Sequence, residues 1–478
     1  SEVSQKDLED NEHLKEINLP GLRTGKNGLE KILNESMIGR PGLQRFEVNA
    51  YGKRIKELKF IKGTAGKNFR ITIDQELQKF ASKAMEDKSG SVCVMDIYTG
   101  DIVIMVSNPT FDPNKFVHGI SQKDWQELIK NDKKPLINKP MAGLYPPGST
   151  IKPLVALSAL ENDVVSTKLI VECKGKVDRY GQIYHCWKEK GHGYMNLRSA
   201  IKQSCDIYFY EVARLLGVDR LNITAEKFGL GKKVLGEAYP EEKKGLFPST
   251  KWKKNNLGQN WYLGETIITG IGQGYVLTNP LQLCLMTAQL ANGGYKIYPR
   301  ITVDRNQQTA EQIKNKMLEE ASDFKRKDNS LIKATEEFLK SDMKEHTPLY
   351  RNPENVKFVI DAMFRSTNEV YGTSYSSRIE DPKYQFAGKT GTAQVKRITE
   401  EERELDLELN QIPYKQRDHA WYVAFGPYNN PRYAVSVLVE HGGSGSKAAA
   451  PIAKSLFKLI IDRHPKREEI IMKDTFKA

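Results

Sequence analysis

With 478 residues, 39% of them hydrophobic, the chain is long enough to bury one large core and a smaller second one. Its formal charge of +13 is spread along the chain, as in Lys251-Trp252-Lys253-Lys254 and Arg403-Glu404-Leu405-Asp406, and no DNA- or RNA-binding motif accompanies it. That excludes nucleic acid as the expected partner and leaves a solvated surface, with attraction to anionic lipid or to carboxylates as the sharper reading. No apolar run approaches the roughly 18 residues of a membrane span, and no signal peptide is visible.

Residues 1–20 are polar and are expected to be poorly ordered. From Leu19 to about Lys62 the pattern gives a short helix, Gly28 to Ser36, and extended segments at Phe46–Asn49 and Arg54–Leu58, too little to bury a core alone. The main domain, 63–478, opens with strand-like Phe69–Ile73 and a helix over Gln75–Met85. Ser91–Asp96 and Asp101–Val106 alternate as strands around the turn Tyr98-Thr99-Gly100-Asp101 and read as a hairpin. Helices are expected from Lys152 to about Asn162, over Ile207–Leu216 with Gly217 as its stop, and over Leu281–Leu290.

Residues 306–350 are highly charged, with a helical run at Glu311–Ala321, and read as a surface insertion; 396–417 is a second charged excursion. Strands follow at Gln385–Thr392, Ala420–Phe425 and Tyr433–Val439, then a helix around Ala448–Arg463. Strands at both ends with helices between them, without βαβ alternation, predict an α+β fold: an antiparallel sheet flanked by helices.

Three short motifs carry chemistry. In Leu144–Pro153, Ser149 and Lys152 form a Ser-x-x-Lys pair at a helix start, where a three-residue offset puts the amine and the hydroxyl on one face. A serine is a weak nucleophile until a base takes its proton, and a desolvated lysine can be that base. Ser204-Cys205-Asp206 matches Ser-x-Asn with Asp in the last place, and Lys389-Thr390-Gly391-Thr392 is a Lys-Thr-Gly element. Each alone has a plain structural reading, a helix cap or a strand end. All three in this order do not.

On these motifs the chain resembles the class B penicillin-binding proteins, most closely their elongation-type D,D-transpeptidases. The resemblance runs over nearly the whole chain and includes Gly28–Lys31, Glu47–Gly52, Cys186-Trp187-Lys188, Gly191-His192-Gly193, Gly270-Ile271-Gly272-Gln273-Gly274 and His441-Gly442-Gly443. It implies a serine acyl-transferase fold with an all-helical subdomain, preceded in 1–62 by the remnant of a pedestal. It also implies a reaction: Ser149 attacks a peptidoglycan stem peptide ending in D-Ala-D-Ala, releases D-Ala and passes the acyl group to a neighbouring amine. β-Lactams would acylate the same serine. Lys152 would be the base, Ser204 a relay to the leaving amine, Asp206 an orienting group, and Lys389 an anchor for Ser204 and the substrate carboxylate. Thr390 and Thr392 are candidate substrate donors, Gly391 permits close approach to the strand, and the amides of Ser149 and Thr392 would form the oxyanion hole.

By the same resemblance the chain is expected to be a fragment lacking an N-terminal membrane anchor, working on the periplasmic face of the bacterial inner membrane. Its expected partners are a polytopic membrane glycosyltransferase and other proteins of the elongation complex. Two other readings use the same features: a serine β-lactamase or penicillin-sensing domain, opposed by the gap of about 240 residues from Ser149 to Lys389, and a non-catalytic scaffold, opposed by the intact motifs.

No catalytic cofactor is implied, but Cys173, Cys186, His192 and Cys205 are spaced C-x12-C-x5-H-x12-C and suit a closed structural zinc site. Cys205 lies between Ser204 and Asp206, so a metal there would fix the second motif from behind. Free buried thiols or one disulfide are the alternative, and His185 or Asp178 could replace a ligand. Cys93 and Cys284 sit in apolar runs and read as core. His419 is expected only to pack, and His441 to lie in a loop near the cleft and shape the substrate.

Overall fold

The computed structural model describes all residues except 18, 180, 304–309, 324–344, 397–406 and 476–478. Two compact units emerge, one of residues 1–71, 110–136 and 236–241, the other of 72–109, 137–235 and 242–478.

In the first unit the N-terminal stretch is folded, contrary to expectation. Ser4 and Asp7 form a capping box on the helix Gln5–Asp10, and the next helix, Glu12–Ile17, buries Leu14 and Ile17, one helical turn apart. Two apolar residues at that spacing anchor an otherwise polar segment. The helix expected from Gly28 to Ser36 is divided at Leu33 into Gly28–Ile32 and Asn34–Met37, and Asn34 turns its side-chain oxygen back to accept the Gly25 N–H at 3.0 Å. Strands β1 (Leu43–Val48) and β2 (Arg54–Ile61) pair antiparallel as an exposed ribbon.

The second unit is built on β3 (Gly90–Asp96) and β4 (Ile102–Asn108), the short pairs β5 (Ile170–Cys173) with β8 (Gly193–Asn196) and β6 (Lys176–Arg179) with β7 (Gln182–His185), and then β9 (Ala387–Ala393), β10 (His419–Gly426) and β11 (Tyr433–Val439). The five long strands form one antiparallel sheet in the order β4-β3-β11-β10-β9. All of β3 and β11 is buried because helices cover both faces. Successive strand residues alternate sides. Val92, Val94, Val435 and Val437 join one core with Leu77 and Ala81 of helix Gln75–Ala84 and with Leu456, Phe457 and Ile460 of the C-terminal helix. On the opposite face lies Pro280–Ala291, a helix buried along its whole length. Its Cys284 thiol approaches the Cys93 carbonyl, so both remaining cysteines are core, as expected. This is the α+β architecture read from the sequence. Among the described residues its edge strand β9 is paired only on the β10 side, and that edge is where the site forms.

Three local expectations change. Phe69–Ile73 is not a strand: Thr72 spends its N–H on Ile301 O (2.7 Å) and its hydroxyl on Ile102 O (2.6 Å). Two residues later Asp74 caps Gln75–Ala84, turning the chain into a helix before a ladder can grow. The insertion is not wholly surface, since its helix Ala310–Asp323 buries Ala310, Ile313 and Met317; the rest of the 306–350 reading, and that of 397–406, lies largely outside the described residues. The last helix, Ala450–Thr475, outruns its expected end at Arg463. Arg463 pairs with Asp74 at 2.7 Å, and buried Arg467, one turn on, approaches Asp101 at 3.6 Å.

Candidate active site

The first motif sits on a tight turn, Gly148–Ile151, that runs into the helix Lys152–Glu161, with Pro153 in the first turn where its missing N–H does no harm. Gly148 adopts φ +55°, and a Cβ there would lie 2.3 Å from the Thr392 carbonyl oxygen. A Cβ on Gly391 would meet Thr150 Cγ2 at 2.7 Å and Pro147 O at 3.0 Å. The nucleophile turn and β9 therefore touch backbone to backbone, with glycine at each crossing. Ser149 is half-buried, while Lys152 is wholly buried.

Lys152 is held by the second motif. Among the described residues no hydrogen bond joins it to Ser149. Its amine instead donates to Asp206 Oδ1 (2.7 Å), Ser204 O (2.9 Å) and Ser204 Oγ (3.3 Å). A buried ammonium needs a counter-charge more than it needs a neutral hydroxyl, and Asp206 supplies it.

Asp206 starts the helix Asp206–Leu216, and its other oxygen accepts the Trp187 N–H at 2.9 Å. The Trp187 indole N–H is shared between Gln203 O and Ser204 O, each at 3.1 Å. This strap holds Ser204 in a left-handed backbone, φ +55°, that a non-glycine residue adopts only when its surroundings fix it.

Ser204 Oγ accepts from Lys389 Nζ at 2.8 Å as well, so one hydroxyl lies between two buried amines. They are not equivalent. Burial, and then the neighbouring Lys152 charge, push the Lys389 amine well below the usual lysine range. Its other hydrogen bond also goes to a neutral acceptor, Thr390 O at 2.9 Å. Further along β9, the Thr390 hydroxyl donates to Thr373 Oγ1 at 2.8 Å, and Thr392 is exposed on the strand edge.

The three motifs thus converge as the sequence required. Residues 90–458 match the family described as penicillin binding protein transpeptidase domain, and 1–71 the penicillin-binding protein dimerisation domain. The chain belongs to the penicillin-binding protein transpeptidase family. It is 33% identical over 466 residues to the peptidoglycan D,D-transpeptidase MrdA of Salmonella typhimurium, spanning 97% of this chain and 70% of that relative. The Acinetobacter baumannii MrdA is 34% identical, over 90% of this chain and 59% of its own length. Among solved structures, Pseudomonas aeruginosa PBP2 in complex with WCK 5153 aligns with a TM-score of 0.72 and 34% identity over 91% of this chain and 83% of that one. Helicobacter pylori PBP2 in complex with MreC aligns at 0.79 and 30%, over 97% and 76%.

Behind the second motif of this penicillin-binding protein lie Cys173, Cys186, His192 and Cys205, their ligand atoms all within 4.8 Å of one another. The two short strand pairs bring them together: Cys173 ends β5, Cys186 follows β7, His192 precedes β8 and Cys205 caps the helix of Asp206. His192 Nδ1 lies 3.5 Å from the sulfurs of both Cys173 and Cys186. A tetrahedral zinc with bonds of about 2.3 Å to sulfur and 2.0 Å to nitrogen asks for an S···N edge of about 3.6 Å, so the donor set fits that ion. The thiols are unequal: hydrogen bonding from Cys205 and His192 pulls Cys186 down, while Cys186 and burial push Cys205 up. All four are buried or nearly so, and no disulfide joins the three cysteines. His185 and Asp178 stand outside the cluster.

His419 begins β10. Its Nδ1 accepts the His441 N–H at 3.0 Å, and burial with the neighbouring His441 lowers its pKa to about 4. Three residues at the site went unnamed in the sequence reading. Trp187 and Gln273 lay inside segments quoted only for their resemblance. Thr373 carried no signal, because nothing local marks a hydroxyl that meets Thr390 only in the folded chain.

Proposed function

We propose that this penicillin-binding protein cross-links peptidoglycan through an acyl-enzyme on Ser149. The chain is a peptidoglycan D,D-transpeptidase, an enzyme of the serine acyl-transferase class. The observation that carries the assignment of roles is the Ser204 hydroxyl held between Lys152 and Lys389, with Lys152 fixed by Asp206 beside the Ser149 turn.

Ser149 Oγ attacks the penultimate D-Ala carbonyl of a stem peptide laid along the free edge of β9 as an added strand. Its proton passes to Lys152, which first sheds one of its own through Ser204 Oγ toward Lys389, the amine whose burial favours the neutral form. The amides of Ser149 and Thr392 stabilise the oxyanion. As the C–N bond breaks, Ser204 returns a proton to the departing D-Ala amine. A second stem-peptide amine then attacks the ester, the new amide forms, and Ser149 recovers its proton. Lys389 and the hydroxyls of Thr390 and Thr392 hold the substrate carboxylate, and Gly391 leaves the strand open to the peptide.

Benzylpenicillin mimics the donor. Intact-mass analysis is expected to show one adduct per chain, mapped to the Ser149 peptide and persisting for many minutes. An adduct on another residue, or one hydrolysed within seconds as in a β-lactamase, would overturn the reading.

The cysteine cluster supports a structural zinc held by Cys173, Cys186, His192 and Cys205. When bound, it would fix the backbone on either side of Cys205 and supply no reaction chemistry. Metal analysis is expected to find about one zinc per chain and less in Cys186→Ser, with chelation lowering the melting temperature. A metal-free protein that keeps its full stability would rule this out.

We also place the work on the periplasmic face of the inner membrane as part of this proposal, with residues 1–62 as a pedestal and 63–478 as the transpeptidase domain. Among the described residues no helix is long and apolar enough to cross a membrane. Proteins of the elongation complex and a polytopic membrane glycosyltransferase are the proposed partners; the Helicobacter pylori relative is found in complex with MreC.

A further inference from the structure

Gln273 belongs to none of the three motifs, yet its segment touches two of them. The carbonyl of Gly272 accepts the Gly148 N–H at 2.9 Å, and Gln273 Nε2 donates to Thr392 O at 3.1 Å. The approach is as close as backbones allow: a Cβ on Gly272 would lie 2.2 Å from Gly148 O, just as one on Gly148 would lie 2.3 Å from Thr392 O. Gln273 is itself held, its N–H donating to Ile268 O at 3.2 Å on the preceding helix, Leu263–Thr269. Its side chain therefore spans from a fixed loop to the edge strand, beside the turn that carries Ser149.

Thr392 O matters because β9 is an edge. Gly391 pairs inward with Trp421, and an outward-facing carbonyl on β9 is the acceptor an added strand would use for its own N–H. A glutamine side chain ends in a primary amide, chemically a stand-in for that N–H. In the free protein the acceptor is thus already engaged by an internal group that resembles substrate.

We propose that Gln273 is a positioning residue for Ser149 acylation: its amide holds the Thr392 peptide, and with it the nearby Thr392 N–H, in register with the Ser149 turn, and keeps one lone pair of Thr392 O while the amide N–H of the incoming acyl donor takes the other. This rests on the acyl-transfer reading above and adds a residue to it. It predicts an uncommon division of effects. Without the side chain, β9 is free to tilt against the nucleophile turn, so the chemical step slows. Initial binding does not weaken, because the donor's own hydrogen bond to Thr392 O is kept.

The test is stopped-flow acylation by benzylpenicillin, whose side-chain amide supplies an N–H, separating the acylation rate constant from the dissociation constant of the initial complex. Gln273→Ala is expected to lower the rate constant about tenfold, below the roughly hundredfold effect of a 1 Å misplacement, with the dissociation constant unchanged or smaller. Gln273→Glu keeps the shape but, when ionised, cannot donate. Its rate constant should match that of Gln273→Ala at neutral pH and recover relative to the natural protein as pH falls through the carboxyl range, where the protonated acid donates again.

A wild-type rate constant in Gln273→Ala, a rise in the dissociation constant at an unchanged rate constant, or a pH-independent deficit in Gln273→Glu would each overturn the inference. Failure of the acyl-transfer reading looks different, since then no protein in the series, natural chain included, carries an adduct on Ser149.

Discussion

Replacing Lys152 by methionine is expected to slow acylation of Ser149 by at least about a hundredfold, the usual contribution of a positioned base, and to destabilise the fold. The second effect follows from the geometry. Lys152 is completely buried and the Asp206 side chain is 10% exposed, with 2.7 Å between them. Methionine fills the volume but leaves a buried carboxylate whose other hydrogen bond is the Trp187 N–H. Breaking a buried pair from one side typically costs about 3–5 kcal/mol.

Loss of rate could then be blamed on loss of structure, so a second substitution is needed. Adding Asp206→Asn removes the orphaned charge while keeping an acceptor for Trp187, and the double variant should regain much of the melting temperature. It should not regain the rate, because no amine then stands between Ser149 and Ser204. Recovery of both together would show that Lys152 is a structural partner of Asp206 and that some other group takes the serine proton.

How much of this was legible beforehand depends on whether the information is local. The hairpin β3–β4, the helix of Lys152 and the paired strands β10 and β11 have turn residues and periodicity within a few residues of themselves, and the sequence shows them. The order of the three motifs pointed to the reaction, and the cysteine spacing to a cluster that the short strand pairs then assemble. What escaped was set by distant partners. The three-residue offset puts Ser149 and Lys152 on one helical face, but nothing near them shows that the carboxylate that captures Lys152 is 54 residues away. The helix Pro353–Asn368 went unread although Asn352 caps it and Val356, Val359 and Met363 form its buried stripe, because a charged segment precedes it and no motif drew attention there. Positive φ at Ser204 could not be inferred at all, since serine gives no sign of it. Only the Trp187 strap explains it.

The glycines at the crossings were visible as letters, but their purpose was not. Gly148→Ala is the substitution that tests that purpose most severely. The added methyl meets two penalties: a left-handed φ, worth roughly 1–2 kcal/mol for an L-residue, and an approach to only 2.3 Å from Thr392 O that no rotamer can relieve because the clash is with backbone. The turn must therefore move away from β9. A shift of about 1 Å between reacting groups typically costs about a hundredfold in rate, so acylation by benzylpenicillin is expected to fall by at least that factor.

Gly217→Ala separates the two penalties. Gly217 has φ +80°, but its Cβ would meet nothing within 4 Å. With ψ 150° it lies in a region almost reserved for glycine, so the variant should lose about 1–3 kcal/mol to conformation alone and acylate as the natural protein does. The difference between the two variants, measured as acylation rate beside melting temperature, isolates the backbone contact. If Gly148→Ala acylates as fast as Gly217→Ala, contact between the nucleophile turn and the edge strand does not set the reacting geometry, and the oxyanion pair formed by the Ser149 and Thr392 amides has to be sought elsewhere.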